Sequence, residues 1–303
     1  MIDWSHLQSR GSGLCGPIHV NMDNRMAFLE DIEAHLQARK GFAVATLNLD
    51  HVVKIRRDPA FCAAYAAHSH ITADGNPIVW FSKLAGHEVD LMPGSEMISP
   101  VVSLAAQHDV PVALLGATEA SLDQAATALM QAYPGLRIVA RIAPPMGFEP
   151  TGHDADRCIE ELRQSGTRLC FLALGAPKQE RFAVHAARAL PETGFMSIGA
   201  GLDFISGAQT RAPMVVQKLA LEWLWRLSQN PQRLAARYGA CIAILPRLLI
   251  SAVQSRQIGR DQRQDQRRRQ IVSAIEDHDH DGPCIKCCER RDHPAPRRSG
   301  PIW

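Results

Sequence analysis

The sequence predicts an α/β fold: a Rossmann-like, mostly parallel sheet with helices on both faces, followed by a helical C-terminal appendage. Three observations carry this expectation. Short apolar runs alternate with stretches of helical periodicity between residues 22 and 198. Several of those runs end in Gly or Asn, as strands do where a loop begins. After Phe204 the helical stretches follow one another with no strand between them. An alternating βαβα order needs crossover connections, hence a doubly wound parallel sheet with ligands at the carboxyl ends of its strands.

The elements follow in order. The first 16 residues read as a loose leader. Residues 22–37 read as a helix, because Met26, Phe28, Leu29, Ile32 and Leu36 fall largely on one face. Strands are expected at 42–47, 110–115, 136–140, 169–174 and 195–198. Helices are expected at 59–67, 78–84, 95–107, 121–132, 154–164 and 179–189. In the appendage, 212–227, 231–238 and 242–254 read as helices, with Pro213 and Pro231 where a first turn tolerates proline. From Ser255 the chain turns Arg/Gln-rich, and residues 260–303 are expected to be disordered. The organisation is thus a leader (1–16), a sheet domain (17–203), a helical appendage (204–255) and a tail (256–303).

With 303 residues, 46% hydrophobic and 21% charged, the chain can bury a large core, which excludes a fibrous or wholly disordered protein. Aromatics at 6% and a net charge of +2 argue against a nucleic-acid partner. The charge is unevenly placed. Residues 1–203 hold 16 Lys/Arg and 22 Asp/Glu, whereas residues 204–270 hold 12 and 3. An acidic body therefore carries a basic segment suited to phosphates, of a ligand or of an anionic membrane surface. The eight cysteines are scattered apart from Cys284, Cys287 and Cys288 and form no disulfide framework, so a reducing compartment is expected. The N-terminus lacks the apolar core of a signal peptide. The best spanning candidate, 241–253, is short and holds Pro246 and Arg247, so the chain is expected to be soluble or peripheral.

Four clusters have residue types suited to chemistry. Thr46, Asn48 and Asp50 follow the apolar run 42–47, where polar side chains face the usual crevice; the structural alternative is a turn with Asp50 capping the next helix. Asp74-Gly75 is either a simple turn or a carboxylate at the crevice mouth, placed to act as a general base. Gly175-Ala176-Pro177-Lys178-Gln179-Glu180 follows a strand, and its glycine, its free helix-start amides and Lys178 suit a pyrophosphate; it is neither a Walker A nor a G-x-G-x-x-G pattern. Gly199-Ala200-Gly201-Leu202-Asp203 follows the last expected strand. Beyond it, Arg226, Arg233 and Arg237 share one face of a continuous helix and suit a diphosphate; a solvated basic face is the alternative. The D-x-D pairs Asp154/Asp156 and Asp277/Asp279 match a short divalent-ion pattern that chance readily supplies, and the Cys/His groups of the tail lack a second paired unit at normal spacing, so no metal and no cofactor is expected.

Taken together, the blocks TLNLDHVVKIRRDP, ADG with VWFSKLAG, LGAPKQE, and GLDFISGAQTRAP through LEWLWRL to NPQRLAARY resemble the WecG/TagA/CpsF glycosyltransferase family, from about Pro17 to Leu249. The resemblance implies an inverting transfer from a UDP-sugar to a polyprenyl-diphosphate-linked acceptor in bacterial surface polysaccharide biosynthesis. The sugar would be of N-acetylmannosamine type, glucose or a uronic acid. It also implies a C-terminal appendage that docks on the inner face of the plasma membrane. Carried over, Asp74 would be the catalytic base, with Thr46 and Asn48 lining the sugar pocket. Gln179 would help to orient the donor, within a binding set completed by Gly175, Lys178, Glu180, Gly201 and Asp203. Arg226, Arg233 and Arg237 would approach the diphosphate. The sequence departs from the pattern at Ala73, where the family usually has Pro, and at Leu91, where an arginine commonly precedes the element matched by Gly94-Ser95-Glu96. It departs again at Ala200 and Leu202. The competing reading is a non-catalytic nucleotide- or phosphosugar-binding module. Self-association is left open.

Overall fold

The computed structural model describes residues 2–5, 15–208 and 231–280. Residues 1–257 form one compact unit and 258–303 a second. The first unit holds β1 (Phe42–Leu47), β2 (His70–Ala73), β3 (Val112–Gly116), β4 (Ile138–Ile142), β5 (Leu169–Ala173) and β6 (Gly194–Ser197). They make one sheet in the order β2-β1-β6-β5-β3-β4, and every pairing is parallel. Helix α1 (Arg25–Gln37) precedes the sheet. Helices α2 (Leu49–Arg57) and α3 (Pro59–Ala66) connect β1 to β2, and α4 (Asn76–Leu84) and α5 (Gly94–Gln107) lead to β3. Three crossovers follow through α6 (Glu119–Ala132), α7 (His153–Gln164) and α8 (Lys178–Ala189); α9 (Gly201–Ile205) comes after β6, and α10 is Pro231–His280.

The strands read as continuous apolar runs because both faces of the sheet are covered. Alternate side chains divide between two cores. Phe42, Val44, Leu114, Phe171 and Met196 enter one with α1, α5 and α6. Ala43, Leu115, Leu172 and Phe195 enter the other with α7 and α8. A third cluster joins the β1–β2 edge to α2, α3, the segments around Trp4 and Ile18, and α10 through Leu47, Val52, Phe61, Ile244 and Leu248. Truncating a wholly buried ring such as Phe171 is expected to cost about 3–5 kcal/mol.

The α/β class expected from the sequence is the one observed. Several details differ. β2 is a four-residue strand, HITA, too short and too polar to stand out in the sequence, yet all four residues are buried. The N-cap of α2 is Asn48, whose side chain accepts the amide of His51, rather than Asp50. The leader is partly built in: Ile2 and Trp4 are buried, and the Trp4 amide donates to the Ile18 carbonyl at 2.8 Å. Cys15 is joined to Cys62, against the expectation of no disulfide; a separation of 47 residues hides the pair until the N-terminal segment folds onto α3.

The expected helix 212–227 lies outside the described residues. The helices expected at 231–238 and 242–254 are one helix, α10, which passes through Pro246 and continues to His280, beyond the point where order was expected to end. Proline removes the amide that would bond the Ile242 carbonyl. Both Pro246 and Ile242 are exposed, so water can satisfy that carbonyl and the helix survives. Fusion gives the stretch Leu234–Ile258 the length and apolarity of a membrane-crossing helix, at a mean hydropathy of 1.4. That corrects the reading of 241–253 as too short.

Candidate active site

The site is built at the carboxyl ends of β1 and β2. Their parallel register sets Thr46 beside Thr72 and Leu47 beside Ala73, so the next residue of β2, Asp74, emerges level with the end of β1. Its amide donates to the Leu47 carbonyl at 2.7 Å. A side chain of β1 and one just after it converge on one carboxylate oxygen: Thr46 Oγ1 donates to Asp74 Oδ2 at 3.4 Å and Asn48 Nδ2 at 3.3 Å. Gly75 then turns the chain at φ +108°, a conformation that side chains rarely adopt, and its carbonyl accepts from Ile78 in the first turn of α4. The carboxylate is thus held by its backbone, one oxygen and a glycine hinge, in a half-buried position.

Asn48 works at both ends of its amide. Its Oδ1 accepts the His51 amide at 3.0 Å to cap α2, which leaves Nδ2 for Asp74. Beneath Thr46 lies a buried aromatic support. His51 Nδ1 is 3.0 Å from the Tyr65 hydroxyl, and the ring also hydrogen-bonds the Thr46 backbone. Burial drives the His51 pKa down to about 3, with the Lys54 cation adding to the effect, so the imidazole is neutral at physiological pH. The same burial raises the Tyr65 pKa well above the usual phenol value, which keeps its proton for hydrogen bonding.

The β5–α8 loop forms a second wall. Gly175 has φ +71° and Ala176-Pro177 is a cis peptide. Lys178 opens α8 and is half-buried. The positive end of that helix lies at the carboxyl end of β5, where it favours an anion. Gln179 is only 2% exposed: its Oε1 accepts the Gly199 amide at 3.1 Å and its Nε2 donates to Glu180 Oε1 at 2.8 Å. It therefore couples the β5–α8 loop to the β6–α9 loop. Glu180, expected among the ligand contacts, has no accessible surface, and burial raises its pKa to about 7. Its contribution passes through Gln179. Gly201 is buried, and its amide donates to the Ile198 carbonyl at 3.0 Å; Asp203 is half-buried in α9.

Gly94 shows how tightly α5 approaches. A Cβ there would lie 2.7 Å from the Ser197 carbonyl and 3.2 Å from Thr46 Cγ2. This brings the start of α5 against Thr46. Near it, a cation from elsewhere in the chain stands beside Leu91. Arg25, at the start of α1, has its Nη2 3.5 Å from the Leu91 carbonyl and 3.4 Å from Glu96. Neither Arg25 nor the His51–Tyr65 pair carries a motif signal of its own; the histidine of NLDH is the visible trace.

Of the three arginines expected at the diphosphate, Arg226 lies outside the described residues. Arg233 falls in the first turns of α10, and its side chain is not among those described. Arg237 Nη2 is 3.1 Å from Asp50 Oδ2, which also takes Lys54 Nζ at 2.7 Å. Lys54 in turn donates to the Ala176 carbonyl at 3.1 Å. A chain of contacts thus runs from α10 through α2 to the β5–α8 loop. Beside it, a cleft of about 540 Å³ between α2 and α10 is lined by Arg56, Arg57 and Arg247 over Val53, Ala240 and Ile244. The first D-x-D pair decorates α7: Asp154 pairs with Arg157, and Asp156 with His185 at 2.9 Å.

The arrangement can take a proton at Asp74 and can favour negative charge at the β5–α8 loop. Residues 16–262 match the Glycosyl transferase WecG/TagA/CpsF family. An N-acetylglucosaminyldiphosphoundecaprenol N-acetyl-beta-D-mannosaminyltransferase of Bacillus subtilis (strain 168) is 24% identical over 214 residues, 69% of this chain and 80% of the relative. The enzyme of that name from Staphylococcus aureus (strain MW2) is 26% identical over 220 residues, 71% of this chain and 84% of the relative.

Proposed function

Because the chain belongs to the WecG/TagA/CpsF family, and so is a glycosyltransferase, we propose that it transfers an N-acetylmannosamine-type sugar from a UDP donor to a polyprenyl-diphosphate-linked N-acetylglucosamine, with inversion. The names of the relatives support this donor and acceptor. In this reading Asp74 Oδ1 or Oδ2 takes the proton of the acceptor hydroxyl as its oxygen attacks the anomeric carbon. The bond from that carbon to the UDP oxygen breaks, and UDP departs with the electron pair. Thr46 and Asn48 fix the carboxylate and border the sugar. Lys178, the start of α8 and the arginines of the appendage offset the charge developing on the diphosphate.

The observation that carries the proposal is the convergence of Thr46 and Asn48 on Asp74 at the strand ends. The test is UDP release from UDP-N-acetylmannosamine in the presence of the lipid-linked acceptor. Asp74→Asn should lower turnover by about 10³-fold with an unchanged melting temperature, since a positioned base contributes on the order of 10²–10⁴. Wild-type turnover in that variant would remove the assigned base. Activity with UDP-glucose or a UDP-uronic acid instead would keep the mechanism and change the donor.

A lipid-linked acceptor fits a reaction at the cytoplasmic face of a membrane, and α10 suits that surface. Cys241, Ile244, Leu248 and Ala252 are buried against the domain, while Ile242, Leu249, Ile250 and Val253 are exposed, with Arg247, Arg256 and Arg260 also outward. Spanning would strip Ile244 and Leu248 from the core. A helix committed on one side and apolar and basic on the other is suited to lie in the interface of an anionic membrane.

A further inference from the structure

At the far end of β2 from Asp74, three side chains converge. Asp31 and His35 are four residues apart on α1, so they share one helix face. His70 is the first residue of β2. Their ligand atoms all lie within 4.8 Å of one another. Asp31 Oδ2 is 2.6 Å from His70 Nε2 and 3.4 Å from His35 Nδ1, so both imidazoles approach the same carboxylate oxygen. We propose that Asp31, His35 and His70 form a binding site for one divalent transition ion of the zinc type, which fastens α1 to the sheet.

For His70 the supporting groups are those such a site requires. A ligating histidine is normally held by a hydrogen bond at its second ring nitrogen. His70 Nδ1 lies 2.7 Å from Ser69 Oγ, itself fixed by the Ala43 amide at 2.9 Å and the Ala43 carbonyl at 3.1 Å. His35 faces the carboxylate through Nδ1, which also lies 2.9 Å from the Asp31 carbonyl; ligation through Nδ1 replaces that contact, and the ring stays placed by its edge packing against Phe42. The two imidazoles stand edge to face, with centroids 5.3 Å apart and planes at 81°. The His70 side chain is 3% exposed, His35 15% and Asp31 41%, so the nitrogen ligands are rigidly packed and solvent reaches the site over the carboxylate. Two imidazoles and one carboxylate select zinc, cobalt or nickel over magnesium or calcium, and leave a fourth position for water. The ion would take the place of the proton shared by Asp31 and His70, so binding releases a proton.

The site is structural. Four residues along β2 separate His70 from Asp74, roughly 13 Å at strand rise, too far for the ion to touch the reacting atoms. Its consequence is stability: the ion ties α1, which carries Arg25, to the strand that ends at Asp74.

The test uses the full chain, stripped with chelator and titrated with Co²⁺ by absorbance and Zn²⁺ by calorimetry. One equivalent should bind with the spectrum of nitrogen and oxygen ligation, and the melting temperature should rise with free Zn²⁺. Asp31→Asn and His35→Ala, both at the accessible side, should weaken binding by at least about tenfold and abolish the thermal shift. Replacement of Cys284, Cys287 and Cys288 by serine should leave that equivalent in place. A thiolate-to-cobalt band that disappears with the serines, unchanged affinity in His35→Ala, or no saturable binding would each overturn the proposal.

Discussion

Asn48 is the residue on which the geometry of the crevice turns, because one amide caps α2 and donates to Asp74. Asn48→Ala should lose both, at about 1 kcal/mol of stability for the cap alone. Asn48→Asp separates them. It keeps an acceptor for the His51 amide but sets a second carboxylate against Asp74, which disfavours the ionised base. The expected outcome is near-normal melting, a loss of turnover greater than about tenfold, and an acid limb of the pH–rate profile that moves to higher pH. A UDP-release profile identical to wild type would show that Asp74 does not depend on its neighbours. These residues were visible individually in TLNLD and ADG. What joins them, the register of Thr46 with Thr72, is a long-range property that local patterns do not encode. Arg25 was not visible at all, since its relation to Leu91 exists only once α1 packs beside the segment after α4.

At the scale of elements, the long strands and helices were legible from periodicity because their burial is regular. β2 was not, because its four residues include a histidine and a threonine whose polar atoms are satisfied by Ser69, Asp31 and the Met92 carbonyl. α10 was read as two pieces, 231–238 and 242–254, but it is continuous and also runs through Pro246, a residue that breaks buried helices and is tolerated where the orphaned carbonyl meets solvent. The exposed side of α10 gives a prediction of its own. Leu249→Asp with Ile250→Asp leaves the buried stripe of Ile244, Leu248 and Ala252 intact, so melting should hardly change. Flotation with vesicles rich in phosphatidylglycerol should fall several-fold, together with transfer to lipid-linked but not to short-chain soluble acceptors. Undiminished flotation would place the membrane contact elsewhere.

For the molecule as a whole, three buried titratable groups weigh most in the response to pH among the described residues, with burial also lowering the pKa of His70. Burial lowers the pKa of His51 to about 3 and of His68 to about 4, and raises that of Glu180 to about 7. As pH falls below the ordinary histidine value, the unfolded chain takes up two protons at these imidazoles that the folded chain refuses, so stability drops. Glu180 acts in the opposite sense: its unfolded carboxyl ionises first, so stability declines as pH rises towards 7. Between the ordinary carboxyl and histidine values the two histidines outweigh the one carboxyl. Each unmatched proton contributes a slope of about 1.4 kcal/mol per pH unit. Melting temperature should therefore peak just below neutrality and fall most steeply below the carboxyl range; His68→Gln should flatten the acid side, and an acid side unaltered by it would refute the assignment. None of this could be read from the sequence, where a histidine among alanines carries no sign of its burial. A single oxygen of Asp50 grips both Arg237 and Lys54, and Lys54 holds the Ala176 carbonyl. Under the proposed membrane docking, a lipid head group that drew the guanidinium away would leave Asp50 to Lys54, so the grip of α2 on the β5–α8 loop would outlast the contact with α10.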